Sequence, residues 1–378
     1  MRLSVVAGAR PNFMKVAPLL RALKDRAEVQ FVHTGQHYDP KMSDAFLADL
    51  DIRQPDVNLE VGSGTHAEQT AAVMVAYEGH LLRDPVDAVI VVGDVNSTLA
   101  AALAAVKLRI PVAHVEAGLR SGDDSMPEEI NRQLTDRISH WLFAPSSEAA
   151  DNLRSEGLGD RSIHVVGNVM IDTLLHSLER ARGCLPEIRE RLGLSASFAL
   201  LTLHRPSNVD DPGKLATLLE TIGELGKRLP VVFPVHPRTR ERLLDVEVSP
   251  TIFCVEPLPY LEFIALLSGA TLALTDSGGI QEETSVLGIP CLTLRDNTER
   301  PLTCTLGTNR LVGNDPTMIL EHAQSALSRA WEPAHIPLWD GRTAERIIGV
   351  LLDELAESGS LPRPVRAAVD RDIFPGPP

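Results

Sequence analysis

Short runs of almost wholly apolar residues recur along this chain, and each is followed by an amphipathic stretch. Leu3–Ala7 gives way to Lys15–Leu23, Val29–Thr34 to a polar turn and Pro40–Leu50, Ala88–Val92 to the Ala-rich Ser97–Leu108, and Pro111–Val115 comes next. Apolar runs without polar alternation belong to strands covered on both faces, so this rhythm predicts a parallel sheet flanked by helices. A second series opens at Phe198–Leu203 and continues through Pro230–Val235, Ile252–Val255, Thr271–Thr275 and Pro290–Leu294. The expected fold is therefore α/β, with two doubly wound, Rossmann-like domains facing across a cleft. A chain of 378 residues exceeds what one ordinary core organises. The expected division is 1–168 and 169–342, joined near Val166-Gly-Asn168 ahead of a helix through about Met170–Ala181. A last helix over about 343–358 is expected to pack back on the first half, and the Pro-rich segment 359–378 to run as an extended tail.

A net charge of −15 argues against nucleic acid as the main partner. No apolar run reaches membrane-spanning length, and the first residues read directly as a strand, so the expectation is a cytoplasmic protein without a membrane partner. Cys184, Cys254, Cys291 and Cys304 are too dispersed for a metal knuckle or a redox pair. An anionic ligand would be repelled by the overall field unless a local basic cluster reversed it. Arg10, Lys15, Arg120, Arg132, His204, Arg205, His236, Arg238, Arg295 and Arg300 all fall in or beside Gly/Pro-punctuated turns and are candidates for that cluster.

Leu274-Thr-Asp-Ser-Gly-Gly-Ile-Gln-Glu-Glu283 carries the densest signal. A strand ends in a glycine turn that opens a helix, which makes backbone N–H groups available to an anion. Ser277 adds a hydroxyl to Gly278 and Gly279, and Glu283 stands at ribose distance from a phosphate bound there; a plain capped helix start explains the same residues. Arg10 and Lys15 follow the first strand inside Gly8-Ala-Arg-Pro-Asn-Phe-Met-Lys15, where the helix dipole disfavours cations unless an anion is near. Asp94 follows an apolar strand and reads equally as the cap of the next helix. Glu116 lies in an apolar stretch and needs a partner, whereas Glu128 and Glu129 suit a helix start on dipole grounds alone. His204 and His236 each end a strand, and Arg295-Asp-Asn-Thr-Glu-Arg-Pro301 is a loop dense in charge. Gly62-Ser-Gly-Thr-His-Ala67 is a partial dinucleotide pattern with no strand before it; no metal-ligand spacing, P-loop or Gly-x-Ser-x-Gly elbow is present.

Taken together and in order, Gly-x-Arg-Pro-x-x-x-Lys, His-Val-Glu-Ala-Gly-Leu-Arg, Pro-Glu-Glu-x-Asn-Arg, Asp-Ser-Gly-Gly-x-Gln-Glu-Glu and Thr-Glu-Arg-Pro resemble the non-hydrolysing UDP-N-acetylglucosamine 2-epimerases, from Met1 to about residue 355. The resemblance implies a glycosyltransferase-B type fold, a homodimer, and inversion at C2 of a UDP-2-acetamido sugar with no cofactor and no metal. It implies elimination of UDP to a 2-acetamidoglucal and re-addition, with Asp94, Glu116 and Glu128 as the carboxylates and His204 beside the diphosphate. Arg10, Lys15, Arg132, His236, Ser277, Gly278, Gly279, Glu283 and Arg300 are the implied UDP-sugar contacts. Rival readings are a relative acting on a 3-acetamido or uronate sugar, a hydrolysing epimerase releasing ManNAc, a glycosyltransferase of the same fold and a UDP-sugar sensor. The family also implies an effector site for a second UDP-sugar, here drawing on Gln36, His37 and His236. Pro206 stands where that site has an arginine, so the expectation is turnover of UDP-ManNAc without a UDP-GlcNAc primer.

Overall fold

The computed structural model describes residues 1–35, 46–159, 161–194 and 197–357, with only the backbone of Arg10. The expected tail 359–378 lies outside the described residues, as does most of the expected helix Pro40–Leu50, of which 46–49 is helical. Thirteen strands build two sheets among the described residues. β1 (Arg2–Ala7), β2 (Glu28–His33), β3 (Val57–Asn58), β4 (Ala88–Val92), β5 (Val112–Val115), β6 (Trp141–Ala144) and β7 (Ser162–Val165) make the first, ordered β3-β2-β1-β4-β5-β6-β7. β8 (Ala199–Thr202), β9 (Val231–Pro234), β10 (Ile252–Val255), β11 (Leu272–Thr275), β12 (Cys291–Thr293) and β13 (Asn309–Leu311) make the second, ordered β10-β9-β8-β11-β12-β13. Every pairing is parallel.

All five residues of β4 are buried, the pattern of a central strand covered on both faces. Strand order reverses beside β1 and again beside β8, which opens a crevice at the carboxyl end of each sheet. β3, β6, β7 and β13 have no counterpart among the apolar runs that read as strands in the sequence. β3 and β13 have two and three residues. β6 follows the helix Pro127–Ile138 so closely that its apolar residues read as that helix's tail. β7, Ser-Ile-His-Val at a sheet edge, alternates polar and apolar residues and stays half-buried.

The helix expected over Met170–Ala181 runs instead from Val169 to Leu192, through Pro186. Gly183 and Pro186 suggest a stop, but Ala181 and Ile188 continue a buried stripe against the helix Tyr260–Gly269. Gly193, in the left-handed conformation at φ 61°, ends the helix. This long helix begins where the first sheet gives out and shares one continuous apolar core with β1, β8 and the last helix, Thr343–Glu357. Asp172 on it accepts from the backbone N–H groups of Thr343 (3.1 Å) and Ala344 (2.7 Å), capping the last helix. At the other end of that helix, Glu354 accepts from Trp141 Nε1 at 2.7 Å and so fastens it to the first sheet. No helix among the described residues is long and apolar enough to cross a membrane.

Candidate active site

The loops at the carboxyl ends of β1, β4 and β5 form one wall of the cleft. Ala9 precedes the helix Arg10–Leu23 with no capping side chain, and Asn12 does that work from the first turn. Its Oδ1 accepts from Gly8 N (3.1 Å) and Ala9 N (3.0 Å), and its Nδ2 donates to Val92 O (3.4 Å), tying the β1 and β4 loops together. Lys15, one turn on, is ion-paired with Glu116. Gly93 has φ +69°, and a Cβ there would stand 2.8 Å from Lys15 Nζ, so a side chain at this position would be strained and would push Lys15 aside.

Asp94 does not cap the next helix, whose N-cap is Val95. It is ion-paired with Arg132 and 28 % exposed to the cleft. Burial alone would raise its carboxyl; Lys15, Arg132 and Arg300 more than offset that and hold it below the usual carboxylate range.

Glu116 takes φ +72°, a conformation that costs a non-glycine residue energy and recurs at functional sites. It is buried between Lys15 and Arg300, whose NH2 lies 3.3 Å from Oε1. Glu128 and Glu129 separate cleanly. Glu129 is buried, accepts from Ser121 N (3.0 Å) and Oγ (2.9 Å), and is paired with Arg132, so it shapes the loop. Glu128 is exposed and interacts electrostatically with Arg205 of the opposite wall.

The opposite wall is built from β8, β9, β11 and the loop after β12. Asp276, fully buried at the end of β11, is a site residue that its motif alone does not single out. It accepts from His204 N (3.0 Å), Arg205 N (3.0 Å) and Asn208 Nδ2 (3.2 Å) and lies 3.0 Å from His204 Nδ1. Burial opposes its charge, but His204 and those backbone donors hold it below the usual range. Its signal was present: an acid ending an apolar strand needs partners, and those partners orient the His204 ring.

Ser277 caps the helix Gly278–Leu287 through its backbone only, leaving its hydroxyl uncommitted as a cap. A Cβ on Gly278 would meet Glu299 Oε1 at 2.5 Å. His204, Pro234, His236, Leu258, Phe263 and Ser277 line an open, mostly apolar cleft of about 200 Å³. His236, one of these lining residues, accepts from Arg238 N at 3.2 Å. Gln36 and His37 lie outside the described residues.

Glu282 and Glu283, both buried, lie behind the cleft. Burial, reinforced by the charge of Glu282, pushes the Glu283 carboxyl up to about 8. Burial pushes Glu282 up to about 7 against the pull of Arg300, whose Nε lies 2.5 Å from Glu282 Oε1. Arg300 thus joins Glu116 of the first half to Glu282 of the second, with Lys15 beyond. Glu299 goes the other way: despite burial, Arg300 and Arg295 hold it at about 2. Lys15, Arg132, Arg205, Arg295 and Arg300 therefore all stand around the cleft in ion pairs. Arg120 and Arg238 are committed elsewhere, to Asp136 with Glu156 and to Asp210.

Comparison with known proteins adds to this geometry. The family model described as UDP-N-acetylglucosamine 2-epimerase matches residues 21–352. The UDP-N-acetylglucosamine 2-epimerase of Methanocaldococcus jannaschii is 43 % identical over 365 residues, covering 93 % of this chain and 99 % of that one. The UDP-2,3-diacetamido-2,3-dideoxy-D-glucuronate 2-epimerase of Pseudomonas aeruginosa is 40 % identical over 354 residues, covering 92 % and 98 %. The crystal structure of the Methanocaldococcus jannaschii enzyme in complex with UDP-GlcNAc and UDP superposes with a TM-score of 0.85, covering 93 % of this chain and 100 % of that one.

Proposed function

The chain belongs to the UDP-N-acetylglucosamine 2-epimerase family, and from that premise we propose that it interconverts UDP-GlcNAc and UDP-ManNAc. On this reading residues 1–168 and 169–342 are the two domains, and the substrate lies across the cleft between them. The uridine occupies the cleft over Phe263 and Leu258, and the diphosphate meets Ser277, the N–H groups of Gly278 and Gly279, His204 and Arg10.

The C2 hydrogen of the sugar is not acidic in the ground state, because no carbonyl adjoins it. It becomes removable as the C1–O bond breaks: the C2–H pair forms the C1=C2 bond, UDP departs with the C1–O pair, and a carboxylate takes the proton. Re-addition of UDP at C1, with a proton delivered to the opposite face of C2, completes the inversion. Two faces require two positioned acid–base groups, and Asp94, Glu116 and Glu128 supply three carboxylates on neighbouring elements. The developing diphosphate charge falls to the cations, with Lys15, Arg132 and Arg300 setting the carboxylates' charge and place.

The observation that carries this reading is the clustering of Asp94, Glu116, Lys15 and Arg300, drawn from both halves, with an open apolar cleft beside His204 and Ser277 in the second half. Incubation with UDP-GlcNAc, followed by NMR, should give UDP-ManNAc. Free ManNAc would instead indicate a hydrolysing enzyme, and no reaction without an acceptor would favour a transferase or a sensor. Likeness to the Pseudomonas aeruginosa relative makes UDP-2,3-diacetamido-glucuronate the second substrate to try. The reverse reaction should start from UDP-ManNAc alone, since Pro206, which opens the short helix Pro206–Val209, brings no cation to a second diphosphate.

Glu283 is proposed to accept from the ribose hydroxyls. A carboxyl held at about 8 carries a proton at neutral pH, and it accepts from both hydroxyls as an anion only once that proton is released. UDP affinity is therefore expected to rise as pH climbs towards 8 and to flatten above it. Stability of the free protein runs the other way, falling as pH rises from the ordinary carboxyl range through 8, because burial penalises the ionised form. Titration calorimetry of UDP against pH checks this. Glu283→Gln should abolish the slope, and an unchanged slope would remove Glu283 from the ribose.

A homodimer and a cytoplasmic setting complete the proposal. The helices His66–Arg83 and Pro127–Ile138 expose Val75, Ile130 and Leu134 beside an open groove touched by Met74. Exposed apolar faces of this kind mark association surfaces. Light scattering should give a dimer that Ile130→Glu with Leu134→Glu converts to a monomer. A monomeric parent protein would contradict this.

A further inference from the structure

Beneath the three carboxylates, and used by none of the steps above, lies a wholly buried pair, His114 and Asp136. His114 Nδ1 is 2.6 Å from Asp136 Oδ1, and Nε2 is 2.8 Å from the carbonyl oxygen of Gly93. The other oxygen of Asp136 accepts from Gly118 N at 3.1 Å and faces Arg120 NH1 at 2.8 Å.

These contacts decide where the protons sit. A carbonyl oxygen only accepts, so Nε2 donates to Gly93. Asp136, with a backbone N–H and a guanidinium on Oδ2, is placed as a carboxylate, so Nδ1 donates to it as well.

The elements joined this way are the ones that carry the acid–base groups. Gly93 immediately precedes Asp94, and its own N–H donates to Val115 O at 3.1 Å, so both polar groups of that peptide turn are pinned to β5. Gly118 is two residues after Glu116, at φ +81°, where a Cβ would lie 2.1 Å from the Ala149 carbonyl oxygen. Asp136 stands on the helix whose first turn holds Glu128. We propose that the His114–Asp136 pair is the positioning device of the reaction, fixing from beneath the mutual spacing of Asp94, Glu116 and Glu128. The role in turnover rests on the epimerase reading; the doubly protonated ring does not.

The test uses the full chain with ¹⁵N-labelled histidine at neutral pH, the His114 signals being assigned by their loss in His114→Gln. Both ring nitrogens are expected to be protonated in the parent protein. Asp136→Asn should cost the ring one proton and lower kcat by about 10²-fold, the scale of an ångström misplacement, with UDP Kd within about twofold because that cleft lies in the other half. His114→Gln, which keeps an amide donor for Gly93 O, should fall between the two. One bare ring nitrogen in the parent protein would overturn the proposal even if Asp136→Asn fails to fold. So would unchanged kcat in both variants, or a loss of UDP affinity equal to the loss of kcat. A parent protein with normal ring protonation and no turnover of UDP-GlcNAc would instead fail the epimerase reading.

Discussion

Glu116→Gln, Asp94→Asn and Glu128→Gln are each expected to lower kcat by about 10²-fold or more, the scale of a lost acid–base group. Each exchange preserves shape and removes the charge, so the effect reports on proton transfer more than on packing. UDP affinity should change little, because the cleft lined by Phe263, His204 and Ser277 lies in the other half. Glu116 is the most constrained of the three, held by Lys15 and Arg300 at a positive φ, and Glu128 the least, exposed in the first turn of its helix. Glu116→Gln leaves Arg300 its pairing with Glu282, so the variant should fold. Steady-state rates with UDP-GlcNAc measure this directly. Three variants with near-native kcat would mean that Asp94 and Glu116 serve only as ion-pair partners.

The second large effect is on stability. Arg300→Met should cost about 3–5 kcal/mol, the range for removing one partner of a buried ion pair. It removes a partner from two buried carboxylates at once: Glu116, 5 % exposed, and Glu282, 2 % exposed. Glu116 keeps Lys15, whereas Glu282 loses the cation that offsets its burial. Adding Glu282→Gln to Arg300→Met should therefore recover part of the loss. Urea denaturation of the parent, single and double variants checks both statements. A loss below about 1 kcal/mol, or no recovery in the double variant, would show that Arg300 is not the junction between the halves.

Much of the fold was legible because parallel strands covered on both faces leave near-continuous apolar runs, as in Ala88–Val92 and Leu272–Thr275. What was not legible had no such signature: Val57–Asn58 is two residues long, and Pro186 inside a 24-residue helix reads as a stop. At the site, Asp94, Glu116 and Glu128 could be singled out by strand ends and motif order. Their environments could not, since the Arg132 bridge to Asp94 and the split between Glu128 and Glu129 depend on which face of one helix turns inward. Asp276, Glu282 and Glu299 were in plain view inside quoted motifs. Their importance comes from burial and from their partners: His204 and Arg300 are distant in sequence from Asp276 and Glu282, whereas Arg295 and Arg300 lie within four residues of Glu299, whose burial only the folded loop reveals. His114 and Asp136 are 22 residues apart and meet only once β5 and its following helix are packed.

The most direct test of elimination and re-addition is turnover of UDP-GlcNAc in D2O without added nicotinamide cofactor, followed by NMR of the product. Deuterium at C2 of UDP-ManNAc is the expected result, since the proton removed from one face is not the one delivered to the other. Protium retained at C2, or turnover only when NAD is supplied, would contradict it.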